Sequence, residues 1–287
     1  PLDPERRAIL LGVVDGVLLG VTALVSTRGH LNTYRSPVIE RVDIPVEGLP
    51  AGLNGLRIAQ VSDIHLGPTI RRNRMQEIVE AVNQLEPDLV AVTGDLVDDS
   101  VRALRDHVEP IADFSAPLGT YFCTGNHEYY VGAESWCRHL QELGLEVLVN
   151  EHRIVSHGGE TLVVAGVSDL RAGRYLPAHR SDPGQAFEGA PDIGFRLLLA
   201  HQPRSIDAAC MAGTDLQVSG HTHGGQFWPF TWLVHLVQPF VAGLHRVGST
   251  WLYVNRGATW WGPPMRLGAP QEITLLTLRD SNSWESG

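Results

Sequence analysis

Cysteine is scarce in this sequence: three in 287 residues, Cys123, Cys137 and Cys210, an odd number without metal-ligand spacing. A disulfide framework is therefore not expected, although the spacing leaves a single bridge open. Positive charge is also short. Twenty-two Lys and Arg face 32 Asp and Glu, a formal net charge of −10, which argues against a binder of nucleic-acid backbones, since that needs a basic face. A phosphate substrate is not excluded, because cations can supply positive charge locally. Internal repeats and low-complexity tracts are missing too. With 43% hydrophobic and 19% charged residues the balance is globular, so disorder is not the default. The length suits one large domain or two small ones.

What is present begins with a long apolar run. Ala8–Val25 (AILLGVVDGVLLGVTALV) holds one charge, Asp15, in eighteen residues, the short end of a membrane-spanning helix. Arg6-Arg7 supplies the positive flank of a spanning helix or an export signal, and faintly resembles a twin-arginine signal without a convincing cleavage site. The competing reading is a buried amphipathic helix packed on the domain. The first residue is Pro1 rather than Met, so residues upstream are expected.

Residues 1–30 thus form a hydrophobic N-terminal segment, and 31–55 a connector with an edge strand around Val38–Val46. Strand and helix signals then alternate through a main domain over 56–280. Apolar runs predict strands at Leu56–Ser62, Leu89–Thr93, Gly119–Thr124, Glu146–Val149, Arg196–Ala200, Leu216–Ser219, Thr250–Asn255 and Glu272–Leu278. Arg153–Ser156 and Thr161–Val167 read as a hairpin turning at Gly158-Gly159. Helical spacing covers Asn73–Leu85, Val101–Phe114, Glu134–Leu143 and a short stretch near Arg204–Met211. Arg171–Pro191 reads as loop. The pattern by itself is one α/β domain with an apolar appendage.

Five polar clusters share one placement. Asp63-Ile64-His65, Gly94-Asp95, Gly125-Asn126-His127-Glu128, His201 and Gly220-His221-Thr222-His223 each follow a short apolar run directly. On adjacent strands these would gather along one sheet edge, where α/β proteins place their sites. Carboxylates, a carboxamide and imidazoles form a mixed O/N donor set that suits Mn, Fe, Zn, Co or Ni and lacks the thiolates of a purely structural zinc site. Asp63, His65, Asp95, Asn126, His201, His221 and His223 exceed the needs of one ion but suit two sharing a carboxylate. His30, His107, His139, His152, His157, His179, His235 and His245 fit no cluster and are expected at the surface or in packing.

The ordered set DIH, GDLVD, GNHE, LLAHQP and GHTHGGQ resembles the five signature blocks of calcineurin-like metallophosphoesterases. It spans Asp63 to Gln226. The resemblance implies a four-layer α/β/β/α sandwich, here with a hydrophobic N-terminal helix, and phosphoester hydrolysis with two divalent transition-metal ions (Mn, Fe or Zn, with Mn favoured). It implies that Asp63, His65, Asp95 and His223 hold one metal, and that Asp95, Asn126, His201 and His221 hold the other, with Asp95 bridging. His127 would be catalytic rather than a ligand, stabilising phosphoryl oxygens or protonating the leaving group. The nucleophile would be a metal-activated hydroxide. Asp98 and Glu128 match the pattern and are expected to support the ligands rather than bind metal.

Phe227–Val247 (FWPFTWLVHLVQPFVAGLHRV) directly follows the last block and is almost uncharged. It closes the core, forms a dimer surface, or makes an apolar rim that meets a bilayer or an acyl chain. With the apolar N-terminus, the blocks most resemble the membrane-associated bacterial branch of the family, similar to YkuE- and YaeI-type phosphoesterases, some relatives of which cleave a lipid-linked pyrophosphate. The expectation is a phosphodiesterase or pyrophosphatase on a lipid-linked or membrane-proximal substrate, at a bacterial cell membrane. Alternatives are an esterase for soluble substrates, exported or cytoplasmic, and a non-catalytic metal-binding module of the same fold. Nucleic-acid binding is not expected, and no protein partner can be inferred.

Overall fold

The computed structural model describes residues 3–281, so Pro1 and Leu2 of the N-terminal segment lie outside the described residues. The chain opens with helix α1 (Pro4–Thr33), started by Pro4 in its first turn and by the Asp3 carboxylate, which accepts from the Glu5 amide at 3.2 Å. Strand β1 (Val38–Val46) follows. Then come β2 (Arg57–Val61), α2 (Arg72–Asn83), β3 (Leu89–Val92), α3 (Val101–Val108), β4 (Thr120–Phe122), α4 (Asn126–Val131), α5 (Ala133–Glu142) and β5 (Glu146–Val147). The second half holds β6 (Glu151–His157), β7 (Glu160–Gly166), α6 (Pro183–Ala186), β8 (Phe195–Leu199), α7 (Ile206–Met211) and β9 (Leu216–Ser219). It ends with α8 (Phe230–Leu233), β10 (Gly243–Val247), β11 (Thr250–Val254) and β12 (Glu272–Asp280).

The strands make two mixed six-stranded sheets, ordered β1-β12-β2-β3-β4-β5 and β10-β11-β9-β8-β7-β6. Period-two burial explains why they stack. In β3, Leu89 and Ala91 enter the core between the sheets, whereas Val90 and Val92 enter the core beneath α2, α3 and α5. In the second sheet Leu197 and Leu199 of β8 join the central core, while Leu198 packs with Ala186 and Ala209 of α6 and α7. Strands buried on both faces read as unbroken apolar runs, and a core between the sheets with another outside each sheet requires four layers. The architecture is the α/β/β/α sandwich, and β1 lies at the edge of its sheet.

Some elements differ from the sequence expectation. The helix expected over Val101–Phe114 becomes a 3-10 turn after Val108, because Pro110 cannot continue an α-helical hydrogen-bond ladder. Asn126–Val131 is a helix that period counting missed, being only six residues long. The loop-like stretch Arg171–Pro191 holds two short 3-10 turns and α6.

Helix α1 does not pack on the domain as the competing reading required. The eighteen-residue apolar window within it is 0% buried. At roughly 1.5 Å per residue its 30 residues are long enough to cross a bilayer. Its last turn alone docks. Gly29 O accepts from the Arg266 amide at 2.9 Å, and Asn32 Nδ2 donates to Arg266 O at 2.9 Å.

Candidate metal centre

The parallel strands β2, β3, β8 and β9 end at the same edge, and the polar clusters begin where they stop. Asp63, His65, Asp95, His221 and His223 all have φ between 50° and 72°, a left-handed backbone that non-glycine residues seldom adopt and that concentrates at functional sites. Close packing of these turns explains their glycines. A Cβ on Gly220 would collide with the Ser62 hydroxyl and the Asp63 carboxylate, and one on Gly125 with the Asp95 carboxylate.

Three groups of donors result: Asp63, His65 and His223; Asp95, His201 and His221; and a third that shares His65 with Asp98 and His127, the ligand atoms of each group lying within 4.8 Å of one another. In the first, His65 Nε2 faces His223 Nε2 at 3.1 Å, and His223 Nε2 lies 3.3 Å from Asp63 Oδ1. In the second, His201 Nε2 lies 3.1 Å from Asp95 Oδ2 and 3.2 Å from His221 Nδ1. Asp95 Oδ2 is also 3.9 Å from His65 Nε2, which puts Asp95 between these two groups. Asn126 sits at the first turn of α4, and its buried Oδ1 has no hydrogen-bond partner.

The supporting contacts decide which nitrogen is free. His201 Nδ1 is 2.7 Å from Thr93 O; a carbonyl only accepts, so Nδ1 carries a hydrogen and Nε2 is the nitrogen left for an ion. His65 and His127 each direct Nδ1 at Asp98 Oδ1, at 2.8 and 2.7 Å. Burial alone would raise the Asp98 carboxyl, but these two bonds and the imidazole charges outweigh it and bring its pKa to about 2. Asp98 therefore orients two histidines at once. Glu128 takes a different part: its carboxylate accepts from the amides of Asp95, Leu96 and Gly125 at 3.1, 2.8 and 2.6 Å, tying two site loops together. Burial and the neighbouring Asp95 charge push the Glu128 carboxyl up to about 7.

His127 stands slightly apart, with Nδ1 held by Asp98 and Nε2 3.9 Å from Asp95 Oδ2. Its ring meets Trp261 edge to face at 5.9 Å. Burial, then the charge of His201, lowers His221 to about 4, and burial, then the charge of Arg266, holds His223 well below its ordinary range. A metal ligand requires an unprotonated imidazole; His201 goes the other way, raised well above its ordinary range by the Asp95 carboxylate against burial, and would give up a proton to bind an ion. Arg266 itself was missed by sequence reasoning. It is 1% exposed, and its guanidinium reaches His223 O at 2.9 Å and His223 Nδ1 at 3.0 Å. It lies outside the five blocks, and only its isolation as a charge within PPMRLGAP hints at burial.

These residues fit a pair of divalent cations. Two facing pairs of ring nitrogens, an unpartnered buried amide oxygen and two buried carboxylates whose ion-pair partners among the described residues are imidazoles alone all call for positive charge at shared points. The O/N donor chemistry is that of transition ions. The centre opens into a cavity of about 620 Å³, lined by His65, Asp95, His127 and His221 together with the apolar side chains of Phe227, Phe230, Val234, Val237 and Trp261.

A four-layer α/β sandwich with two facing O/N donor groups at one strand edge defines a metal-dependent hydrolase. Residues 56–225 match the family model described as calcineurin-like phosphoesterase, and the chain belongs to that family of phosphoester hydrolases. It is 42% identical to a Danio rerio transmembrane protein with metallophosphoesterase domain, over 91% of this chain and 62% of that protein. Identity is 35% to an uncharacterized metallophosphoesterase of Campylobacter jejuni, over 96% and 72% of the two chains. It is 28% to the uncharacterized metallophosphoesterase YkuE of Bacillus subtilis, over 97% and 99%. The chain spans 62% and 64% of the lengths of the Danio rerio and Bos taurus transmembrane relatives.

Proposed function

We propose that this chain hydrolyses a phosphodiester or pyrophosphate whose leaving or retained group is a lipid, at the surface of the membrane that anchors α1. The observation that carries this reading is the cavity itself, whose lining combines the donors His65, Asp95, His127 and His221 with the apolar side chains Phe227, Phe230, Val234, Val237 and Trp261. Ligand sites place a few polar groups in a mainly apolar lining to set orientation. Here the polar groups suit a phosphate and the apolar side chains suit a chain attached to it. A bacterial cell membrane is the proposed location.

Asp63, His65, Asp95 and His223 would hold one divalent cation, and Asp95, Asn126, His201 and His221 the second, with Asp95 shared. Manganese is favoured, while iron and zinc suit the same donors. When bound, such ions polarise phosphoryl oxygens and lower the pKa of water. The chain's own contribution is placement. Asp98 fixes the rings of His65 and His127, and Thr93 fixes that of His201. His127, with Nδ1 engaged by Asp98 and its ring lining the cavity, would donate a proton to the departing oxygen.

The test compares a long-chain phosphodiester in mixed micelles with water-soluble bis-nitrophenyl phosphate and nitrophenyl phosphate, each with added Mn²⁺. The expected result is a clear preference, in kcat/KM, for the long-chain diester. Equal turnover of the soluble diester would assign the site to soluble substrates instead. No turnover of any ester by metal-loaded protein would favour a non-catalytic module.

A further inference from the structure

Segment 227–238 presents more apolar surface than the cavity takes up, and Phe230 and Val237 are themselves more than half exposed. Phe230, Val234 and Val237, at helical spacing, line the cavity. Trp232, Leu233 and Leu236, which alternate with them around the turn, do not, and Trp232 and Leu236 are 70% and 81% exposed. Trp228 stands exposed beside them, as does Trp261 at the cavity mouth. No Asp, Glu, Lys or Arg occurs from Phe227 to Ala242. A contiguous exposed apolar patch of this kind marks an interaction surface.

The same patch is continuous with the docked end of α1. The Trp228 amide donates to Leu267 O at 2.9 Å, and the Arg266 amide donates to Gly29 O at 2.9 Å. His30 Nδ1 lies 3.1 Å from Pro264 O, and a Cβ on Gly29 would stand only 2.6 Å from Met265 Cγ. The strip 264–267 therefore joins the last turn of an exposed apolar helix to the outer rim of the cavity. Gln226 Nε2 donates to Trp261 O at 2.8 Å and lies 3.3 Å from Pro263 O, which binds the cavity mouth to the same strip.

We infer that the rim formed by Trp228, Trp232, Leu233 and Leu236 docks into the lipid bilayer that holds α1, so that the cavity opens onto the leaflet and takes its ester from within it. This rests on the lipid-ester reading and deepens it, by stating how the substrate arrives. Indole rings favour the boundary between headgroups and acyl chains, where an apolar body and a polar N–H are both satisfied. A short helix with bulky apolar residues on its free face buries that face at the same depth. Anchorage by α1 places the rim against the surface, so the docking itself needs little affinity.

The full chain, reconstituted in phosphatidylcholine vesicles, tests this by quenching of tryptophan emission with brominated phosphatidylcholine. Residues 4–33 contain no tryptophan, so quenching does not report on the anchor. The expected result is strong quenching in the wild-type protein that is largely lost in the Trp228→Ser/Trp232→Ser variant. A second arm uses Leu236→Ser. Its turnover of bis-nitrophenyl phosphate should stay within about two-fold of wild type, while turnover of a vesicle-borne long-chain phosphodiester falls by about ten-fold. Emission insensitive to brominated lipid overturns the proposal, as does equal loss on both esters. Lipid-insensitive emission together with cross-linked dimers that Trp232→Ser abolishes would assign the rim to a second copy of the chain. Should the wild-type protein hydrolyse neither ester, the hydrolase reading fails, and the quenching arm alone decides the docking.

Discussion

Asp95 and Asp98 are three positions apart, buried to different degrees, and serve different partners. Asp95 faces imidazoles of both donor groups through one oxygen, whereas Asp98 accepts from His65 and His127 on the outside of the cluster. Asp98→Asn should reduce activity or metal affinity by about 10–100-fold, the usual consequence of losing an orienting contact behind a ligand. Asp95→Asn should be more damaging, because it would disturb both ions. Steady-state kinetics with metal content measured on the same samples checks this, and equal activity of the two variants would sink the bridging assignment. Glu128 gives a stability prediction instead. Glu128→Ala leaves three buried amides without an acceptor, each costing about 1–3 kcal/mol. Urea denaturation should show a loss of several kcal/mol; a change below about 1 kcal/mol would mean water replaces the carboxylate.

Among the elements, α1 shows how a helix apolar on every side can still have a defined position. The apolar window of its body is unburied among the described residues, and its last turn is clamped by Arg266, by Gln271 Nε2 on the carbonyls of Asn32 and Thr33, and by Arg74 Nη2 on Thr33 O. Gly29 permits the approach, since any side chain there would enter the space of Met265. Gly29→Leu should therefore lift the turn away from strip 264–267. Hydrogen exchange at the Arg266 amide should speed up by on the order of ten-fold or more, as the local opening free energy falls. Unchanged exchange would show that the clamp does not depend on Gly29. The strands were legible because those buried on both faces read as apolar runs; β9 matches its expected limits, as does the edge strand β1. Helix α4 was not legible, since six residues are too few for a helical period to emerge.

For the molecule as a whole, the two donor groups concentrate buried carboxylates with little compensating charge in the chain itself. Bound cations would thus stabilise the folded state by mass action, about 2.7 kcal/mol when free ion is a hundred-fold above its Kd. Chelation should lower Tm by several degrees, at about 2–4 °C per kcal/mol for a domain of this size, and added Mn²⁺ should restore it. A Tm indifferent to chelator and to Mn²⁺ would count against tight metal binding.

The sequence alone determined the donor types, their order and their position after apolar runs, because strand burial and ligand chemistry are written in local residue choice. Only the tertiary structure brought His65 within 3.1 Å of His223, 158 positions away, turned Asp98 toward two histidines, and set Arg266 against His223. Those contacts depend on how two sheets stack and which strands are neighbours, information that no local period carries. The same holds for Phe227–Val247. Its apolar character was plain from composition, but which of its side chains line the cavity was decided by the packing of its short helix beside the donor groups.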